Sequence, residues 1–437
     1  MAWDRVSLTR VAVLGILALL AAADNKGSTH GLASEAIDKT QVYTGNSTAA
    51  VGQSPPVPGW WDSKICINTF CVYANQRLAG GRGLVAVTRA DEFQKLERLE
   101  DHLDRAESRI LQSPAPFTST EILHKGPGLT ATSPIRRGKP LLSAAPVLIV
   151  HRAFLDLVPK KKDRTRLLDT AISYLPPATQ TLFNAQRHSP HLSSVEQTLL
   201  AHPFEIDLAY ASHKQSTGAT GPDGQPAEPD PHAHSRHFAN YPEAARFQHD
   251  CRPNVATHLD GAFALRATVA RKVAEGEELS VSWVDPFMER GERGRWVGRH
   301  RGLVGAEKKG CPCSACAVKD KKEGKEKDER LKEVVKIRGE LRNHDSNKVD
   351  LGMVERFLEL YLAERLQVKL AEAYELAAIN FNYLGDDKRA KKYAELAVQA
   401  GIVEGGAESN DVAAMRVFAK DVRGHYSYRY KLKRMGL

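Results

Sequence analysis

The sequence predicts an α+β chain: a strand-rich middle followed by an all-helical C-terminal part. Two textures and one cluster predict it. Short apolar runs and two-residue alternation dominate about 118–150 and 262–284, whereas apolar residues recur at helical spacing from about 351 onward. Between these textures stand Cys311, Cys313 and Cys316 in a C-x-C-x-x-C cluster, with Cys251 well upstream. At 437 residues, 42% hydrophobic and 26% charged, the chain has material for two or three cores, which excludes a wholly disordered protein.

The N-terminus reads as a targeting segment. Arg5 and Arg10 precede the apolar run 11–23, which closes on Ala21-Ala22-Ala23. A basic start, a short apolar core and small residues predict a secretory signal peptide over 1–23. The run is short for a membrane span, so no transmembrane segment is expected once it is removed. An amphipathic anchor is the other reading of the same pattern. Residues 24–58 are rich in Ser, Thr, Gly and Pro and predict an extended lead-in, carrying the glycosylation sequon Asn46-Ser47-Thr48. Trp60 and Trp61 open a small segment in which Cys66 and Cys71 flank an apolar loop. A local disulfide and two free thiols both fit that spacing. Short strands are expected at 71–74 and 84–87. A single helix is expected next, with Thr88 as its N-cap. Phe93, Leu96, Leu99, Leu103, Ala106 and Ile110 form its apolar stripe, and Pro114 and Pro116 end it.

Val147 to Val150 is a buried-strand candidate. Residues 151–212 predict a helical insertion, with Leu155, Leu157, Leu167, Leu168, Ile172 and Leu175 at helix-like intervals. Residues 213–237, rich in Gly, Pro and His, predict a surface loop. Phe263, Leu265, Val269, Val273, Leu279 and Val281 return to alternation. In the C-terminal part, Leu370 to Leu384 reads as a helix stopped by Gly385. A second helix follows Asp386 and Asp387, with Ala390, Tyr393, Ala394, Ala397 and Val398 on one face. Neighbouring helices are expected at about 351–366 and 409–421. The central pair resembles a tetratricopeptide unit, with small residues where helices approach.

The net charge of +9 comes largely from Lys160 to Lys162, Lys319 to Lys336 and Tyr426 to Arg434. These runs read as solvated faces and a basic tail. Their aromatics form no nucleic-acid motif, so nucleic acid is not indicated as a partner.

The cysteines carry the most specific chemistry. Three thiolates in C-x-C-x-x-C can hold three corners of a zinc tetrahedron, and the fold must supply the fourth. Disulfides are the alternative, but C-x-C spacing is awkward for a bond between its own two members. Zn2+ is therefore the expected ion.

Taken in order, the motifs resemble a family. Gly126-Pro127-Gly128-Leu129 leads into Ala131 to Gly138. Then come Arg246-Phe247-Gln248-His249-Asp250-Cys251-Arg252-Pro253-Asn254, Gly276 to Asp285, and the cysteine cluster. This series resembles a SET domain of the split type with a post-SET zinc site. It is most similar to fungal SET proteins related to the MYND-containing methyltransferases, without the MYND finger. The resemblance implies a SET β-clip domain with a helical insert over 118–317. Before it would lie an N-terminal extension, 24–117, and after it an all-α, tetratricopeptide-like domain, 318–437. It further implies S-adenosylmethionine as cofactor, held at Gly126, Gly128, Gln248 and His249, and zinc on Cys251, Cys311, Cys313 and Cys316. The implied activity is protein-lysine N-methyl transfer onto a protein or peptide, with a catalytically inactive, partner-binding module as the alternative. The family operates in the nucleus and cytoplasm, whereas the signal peptide points to the secretory pathway.

Three positions depart from the family pattern. Gln248 stands where the family has asparagine, which keeps the amide but adds a methylene. Trp283 stands where the family's catalytic tyrosine is expected, and an indole offers one donor and no acceptor. The run Gly305 to Gly310 lacks the aromatic residue that walls the lysine channel, leaving Tyr174, Tyr210 and Tyr241 as candidate substitutes.

Overall fold

The computed structural model describes residues 59–105, 109–111, 114–123, 125–186, 193–201, 204–208, 235–301, 311–318, 320–434 and 436. The signal peptide, the lead-in with Asn46, Tyr210, the expected loop up to residue 234 and the run Gly305 to Gly310 lie outside the described residues. The described chain is mixed α/β, with three sheets and a helical C-terminal part.

The first sheet has the order β1-β2-β3-β8-β10-β9. Strands β1 (Trp61–Ile67) and β2 (Phe70–Asn75) form a hairpin that sets Cys66 directly opposite Cys71, and the two are disulfide-bonded. Strand β3 (Leu84–Thr88) pairs in parallel with β8 (Leu148–His151), all four of whose residues are buried. Both apolar runs were legible as strands for this reason: a central strand is covered on both faces.

The single helix expected from Thr88 is interrupted. Thr88 ends β3, and its hydroxyl meets His237 Nε2 at 2.7 Å. Helix α1 (Ala90–Arg98) and helix α2 (Glu100–Asp104) are separated by Leu99, whose φ and ψ of −96° and 5° leave the helical region. Leu96, Leu99 and Leu103 are nonetheless all buried, so the apolar stripe survives the break. Ile110 belongs to a short strand, β4 (Arg109–Ile110), rather than to the helix.

The helical insertion comprises α3 (Ala153–Leu157), α4 (Lys161–Ser173), α5 (Pro177–Asn184) and α6 (Val195–Ala201). Its expected end is instead strand β9 (Phe204–Asp207), and the expected loop ends in β10 (Arg236–Asn240). Polar letters disguised β10. His237 and Asn240 are fully buried, the first against Thr88 and the second paired with the Gln186 amide at 3.0 and 3.1 Å.

The second sheet has the order β11-β14-β6-β5, from β5 (Phe117–Ile122), β6 (Gly126–Ala131), β11 (Gln248–His249) and β14 (Glu278–Val281). The third has the order β12-β13-β7-β4, with β7 (Pro140–Ala144), β12 (Val255–Leu259) and β13 (Leu265–Val269). Leu129, Leu142, Val255, Leu265, Val269 and Leu279 belong to one core. Asn254 locks the junction: its Nδ2 donates to Glu278 O at 2.7 Å and its Oδ1 accepts from Ser280 N–H at 2.9 Å. Strand β14 thus lies between Gln248-His249 on one side and the Gly126–Gly128 strand on the other.

The C-terminal part runs through α7 (Arg290–Arg301), α8 (Lys321–Arg342), α9 (Leu351–Ala363), α10 (Leu370–Tyr383), α11 (Asp387–Gly405), α12 (Asn410–Lys420) and α13 (Tyr430–Arg434). Side-chain oxygens of Asp320, Asp350, Asp386 and Ser409 cap the starts of α8, α9, α11 and α12. Ala373, Ala377, Ala390 and Ala394 are fully buried in a second core, where small residues let α10 and α11 approach. No helix among the described residues is long and apolar enough to cross a membrane.

Candidate functional site

Three buried thiols and one imidazole, those of Cys251, Cys311, Cys313 and His249, place their ligand atoms within 4.8 Å of one another. This cluster can hold a metal ion such as zinc. Cys316 joins the same group, its Sγ 3.5 Å from Cys251 Sγ. A zinc tetrahedron with Zn–S bonds of about 2.3 Å has S···S edges of about 3.8 Å, so that spacing is the right order. Cys251 follows directly on β11, and its backbone N–H points at Cys313 Sγ at 3.4 Å. Asp250 ties in the cysteine segment by accepting from Ser314 N–H at 3.2 Å.

Electrostatics favours a cation here. Hydrogen bonding from Cys251, then Cys311, holds the Cys313 thiol down to about 6, and the same neighbours push Cys316 down. The thiol of Cys251 is pushed up by its three partners, first among them Cys311. Four crowded thiols cannot all ionise unaided, so protons stay on some while others lose theirs. A dication at the centre removes that conflict. Arg293 adds positive charge from outside, with Nη2 3.7 Å from Cys316 Sγ.

His249 lies at the edge of the cluster, and its hydrogen bonds define its role. The backbone N–H of Trp283 can only donate, and it donates to His249 Nδ1 at 3.3 Å. The neutral ring therefore carries its proton on Nε2, which stands 3.2 Å from Cys251 Sγ. With a proton on Nε2, the imidazole is a donor to the sulfur. A ring that ligated a metal through Nε2 would need its proton on Nδ1, facing the Trp283 N–H.

The glycine motif sits beside this group, in a strand rather than a turn. Gly126 has φ +86°, a conformation only glycine takes cheaply. At Gly128, an added Cβ would come within 2.6 Å of Ile122 Cγ1 and 3.0 Å of Gln248 Cγ, so internal packing alone demands a glycine there. Gln248 Nε2 donates to Pro127 O at 2.6 Å. Lys125, which carried no signal in the sequence, donates from Nζ to both carboxylate oxygens of Glu278 at 2.9 Å and to His249 O at 3.2 Å. Burial, opposed by Lys125, raises the Glu278 carboxyl.

Trp283 packs edge-on against Phe204, with ring centroids 5.8 Å apart, and Phe204 in turn meets Tyr241 at 5.1 Å. Tyr241 is one of the candidates for the missing channel-wall aromatic. It is fully buried and its OH donates to Phe263 O at 2.7 Å. Tyr174 packs against Trp61 in the first sheet's hairpin, 4.6 Å between centroids.

All nine expected site residues are thus described, and they form two groups joined through His249. One is the thiol quartet; the other is the Gly126–Gly128 strand with Gln248, His249 and Trp283. Lys125, Asp250 and Arg293 were missed, because a surface-type residue gives no sign in sequence that it will be buried against a site. No protein-family model matches the chain, and no curated protein matches it.

Proposed function

We propose that residues 118–317 form a SET-type β-clip domain and that the chain is an S-adenosylmethionine-dependent protein-lysine N-methyltransferase with an altered site. The observation that carries this reading is the meeting of the glycine strand, Gln248-His249 and Trp283 around β14, directly beside a four-thiol centre. In this reading Cys251, Cys311, Cys313 and Cys316 hold structural zinc, and His249 Nε2–H supports the Cys251 thiolate from outside the ligand set.

Beside the glycine strand the chain's own donors occupy the acceptors, Lys125 Nζ on His249 O and the Glu278 carboxylate and Gln248 Nε2 on Pro127 O, so a cationic cofactor would have to replace them. S-adenosylmethionine, when bound, would supply a sulfonium methyl for a neutral lysine amine to attack in line, the N–C bond forming as the C–S bond breaks, with a neutral thioether leaving and the charge passing to the methylated ammonium. The chain's part is to orient that amine and exclude water. Trp283 and Phe204 wall the site with aromatic surface, but Trp283 gives the amine no oxygen acceptor, so slow turnover is expected. The cleft beside the C-terminal helices would receive the lysine-bearing protein or peptide.

A second reading, a SET module that binds a partner without turnover, is favoured by Trp283, whose indole offers no acceptor, and by Gln248, whose amide is spent on Pro127 O. Calorimetric titration of S-adenosylmethionine into zinc-loaded protein lacking residues 1–23, followed by a methylation assay, separates the two readings. Saturable one-to-one binding followed by methylation on a lysine-peptide array supports the enzyme. Binding without methylation supports the partner-binding module. Absence of binding in folded, zinc-loaded protein removes the cofactor from both.

A further inference from the structure

Three consecutive side chains, Asp250, Cys251 and Arg252, reach three parts of the molecule. Asp250 Oδ2 accepts from Ser314 N–H in the cysteine segment, and Oδ1 accepts from Arg252 N–H at 2.7 Å. Cys251 enters the thiol cluster. Arg252 turns the other way, into the C-terminal helices: Nε donates to Glu364 O at 2.6 Å and Nη2 to Glu364 Oε2 at 3.3 Å. Its Nη1 donates to Cys251 O at 2.8 Å and to Pro286 O at 3.3 Å. Glu364 closes α9, and its other oxygen accepts from Arg330 Nε of α8 at 2.8 Å.

This contact is buried on both sides, with the side chains of Arg252 and Glu364 only 4% and 6% exposed. A buried pair of this kind is tolerable only while both partners are held, since either one alone would be an uncompensated charge. Arg252 is held by its neighbours in sequence, which are fixed in turn by the cluster. Glu364 is held by Arg330 in the middle of α8 and by its own place at the end of α9. Each half therefore depends on the other.

We infer that the metal centre, the middle of α8 and the end of α9 form one coupled unit, with Arg252 and Glu364 as its positioning residues. Filling the cluster fixes the 250–252 segment and so seats this helix contact; seating the contact strengthens the cluster by the same factor, as linkage requires. The inference rests on the reading that the thiols hold a metal. It does not require S-adenosylmethionine. The coupling is local, because Val403 of α11 also packs on Ala256 and Ala270 of the third-sheet region, and that apolar contact is independent of the metal.

The test uses the full chain loaded with zinc. Competition with a chromophoric chelator measures zinc affinity in the wild type and in Glu364→Gln, a change in the helical part that touches no thiol. A loss of about tenfold or more is expected, the scale seen when supporting partners of a metal site are removed. Hydrogen exchange on the wild type, before and after chelation, needs no variant. Faster exchange is expected across 321–331 and 360–366 as well as 311–318, with α11 unchanged. Zinc affinity within twofold of wild type in a folded Glu364→Gln protein, or exchange changes confined to 248–252 and 311–318, overturns the coupling while leaving the metal reading intact. A chain that takes up no zinc overturns both.

Discussion

At position 283 an indole stands where the motif order leads one to expect a phenol, and the consequence is chemical before it is steric. A phenol oxygen can accept from a lysine amine and align its lone pair; an indole can only donate. Of the tyrosines expected to replace the channel-wall aromatic, Tyr241 is bonded to Phe263 O, and Tyr174 packs on Trp61. If the chain transfers methyl groups as proposed, Trp283→Tyr should raise the rate on a lysine peptide by about a hundredfold, the lower range for a positioned proton-accepting group. Mass spectrometry of the peptide reads the gain. A variant that binds S-adenosylmethionine yet shows no gain would remove Trp283 as the block. At this scale the sequence was informative where chemistry is intrinsic to the residue type, as with Cys311, Cys313 and Cys316. It singled out His249 but not the hydrogen bonds that define it, which depend on which backbone amide meets Nδ1, and it was silent on Arg252, whose partner Glu364 lies over a hundred positions away.

Elements with their own start and stop signals were legible. Helices α9 to α12 fall within a few residues of the expected bounds, because apolar spacing marks each of them, Asp350, Asp386 and Ser409 cap the starts of α9, α11 and α12, and Gly385 stops α10. Elements made by pairing were not. Strand β10 exists because β8 and β9 flank it, and its own letters, Arg236-His237-Phe238-Ala239-Asn240, show no strand preference. The stop between α10 and α11 shows how strongly a local signal can be built. Gly385 has φ +80°; its N–H donates to Asn382 O at 3.1 Å, and Asp386 N–H donates to Phe381 O at 2.9 Å. That is the paired hydrogen bonding of a glycine helix stop. An added Cβ would also fall 2.8 Å from Leu432 Cδ1 of α13. Gly385→Ala should cost about 1–2 kcal/mol, the penalty for a left-handed L-residue, and lower the urea midpoint accordingly. An unchanged midpoint would mean the turn relaxes out of the left-handed region.

The whole molecule sets two kinds of sulfur chemistry side by side. Cys66 and Cys71 face each other across the β1–β2 hairpin and are bonded, whereas Cys251, Cys311, Cys313 and Cys316 are free thiols gathered in one cluster. An oxidising compartment suits the first pair and threatens the second group; a reducing one does the reverse. The conflict dissolves if a metal occupies the quartet, because a coordinated thiolate is both deprotonated and shielded from oxidants. Register keeps the two sets apart: the hairpin opposes Cys66 to Cys71 directly, while Cys251 is placed by β11 and the others by the segment that Asp250 anchors. The full chain, folded with zinc in a glutathione redox buffer, should then show two kinds of cysteine to an alkylating reagent. Cys66 and Cys71 should resist until a reductant is added. The other four should resist until a chelator is added, and then react without reductant. Peptide mapping reads each site separately. Alkylation of the quartet in the presence of zinc would show that no metal protects it, whereas a requirement for reductant at all six would show disulfides in place of the metal centre.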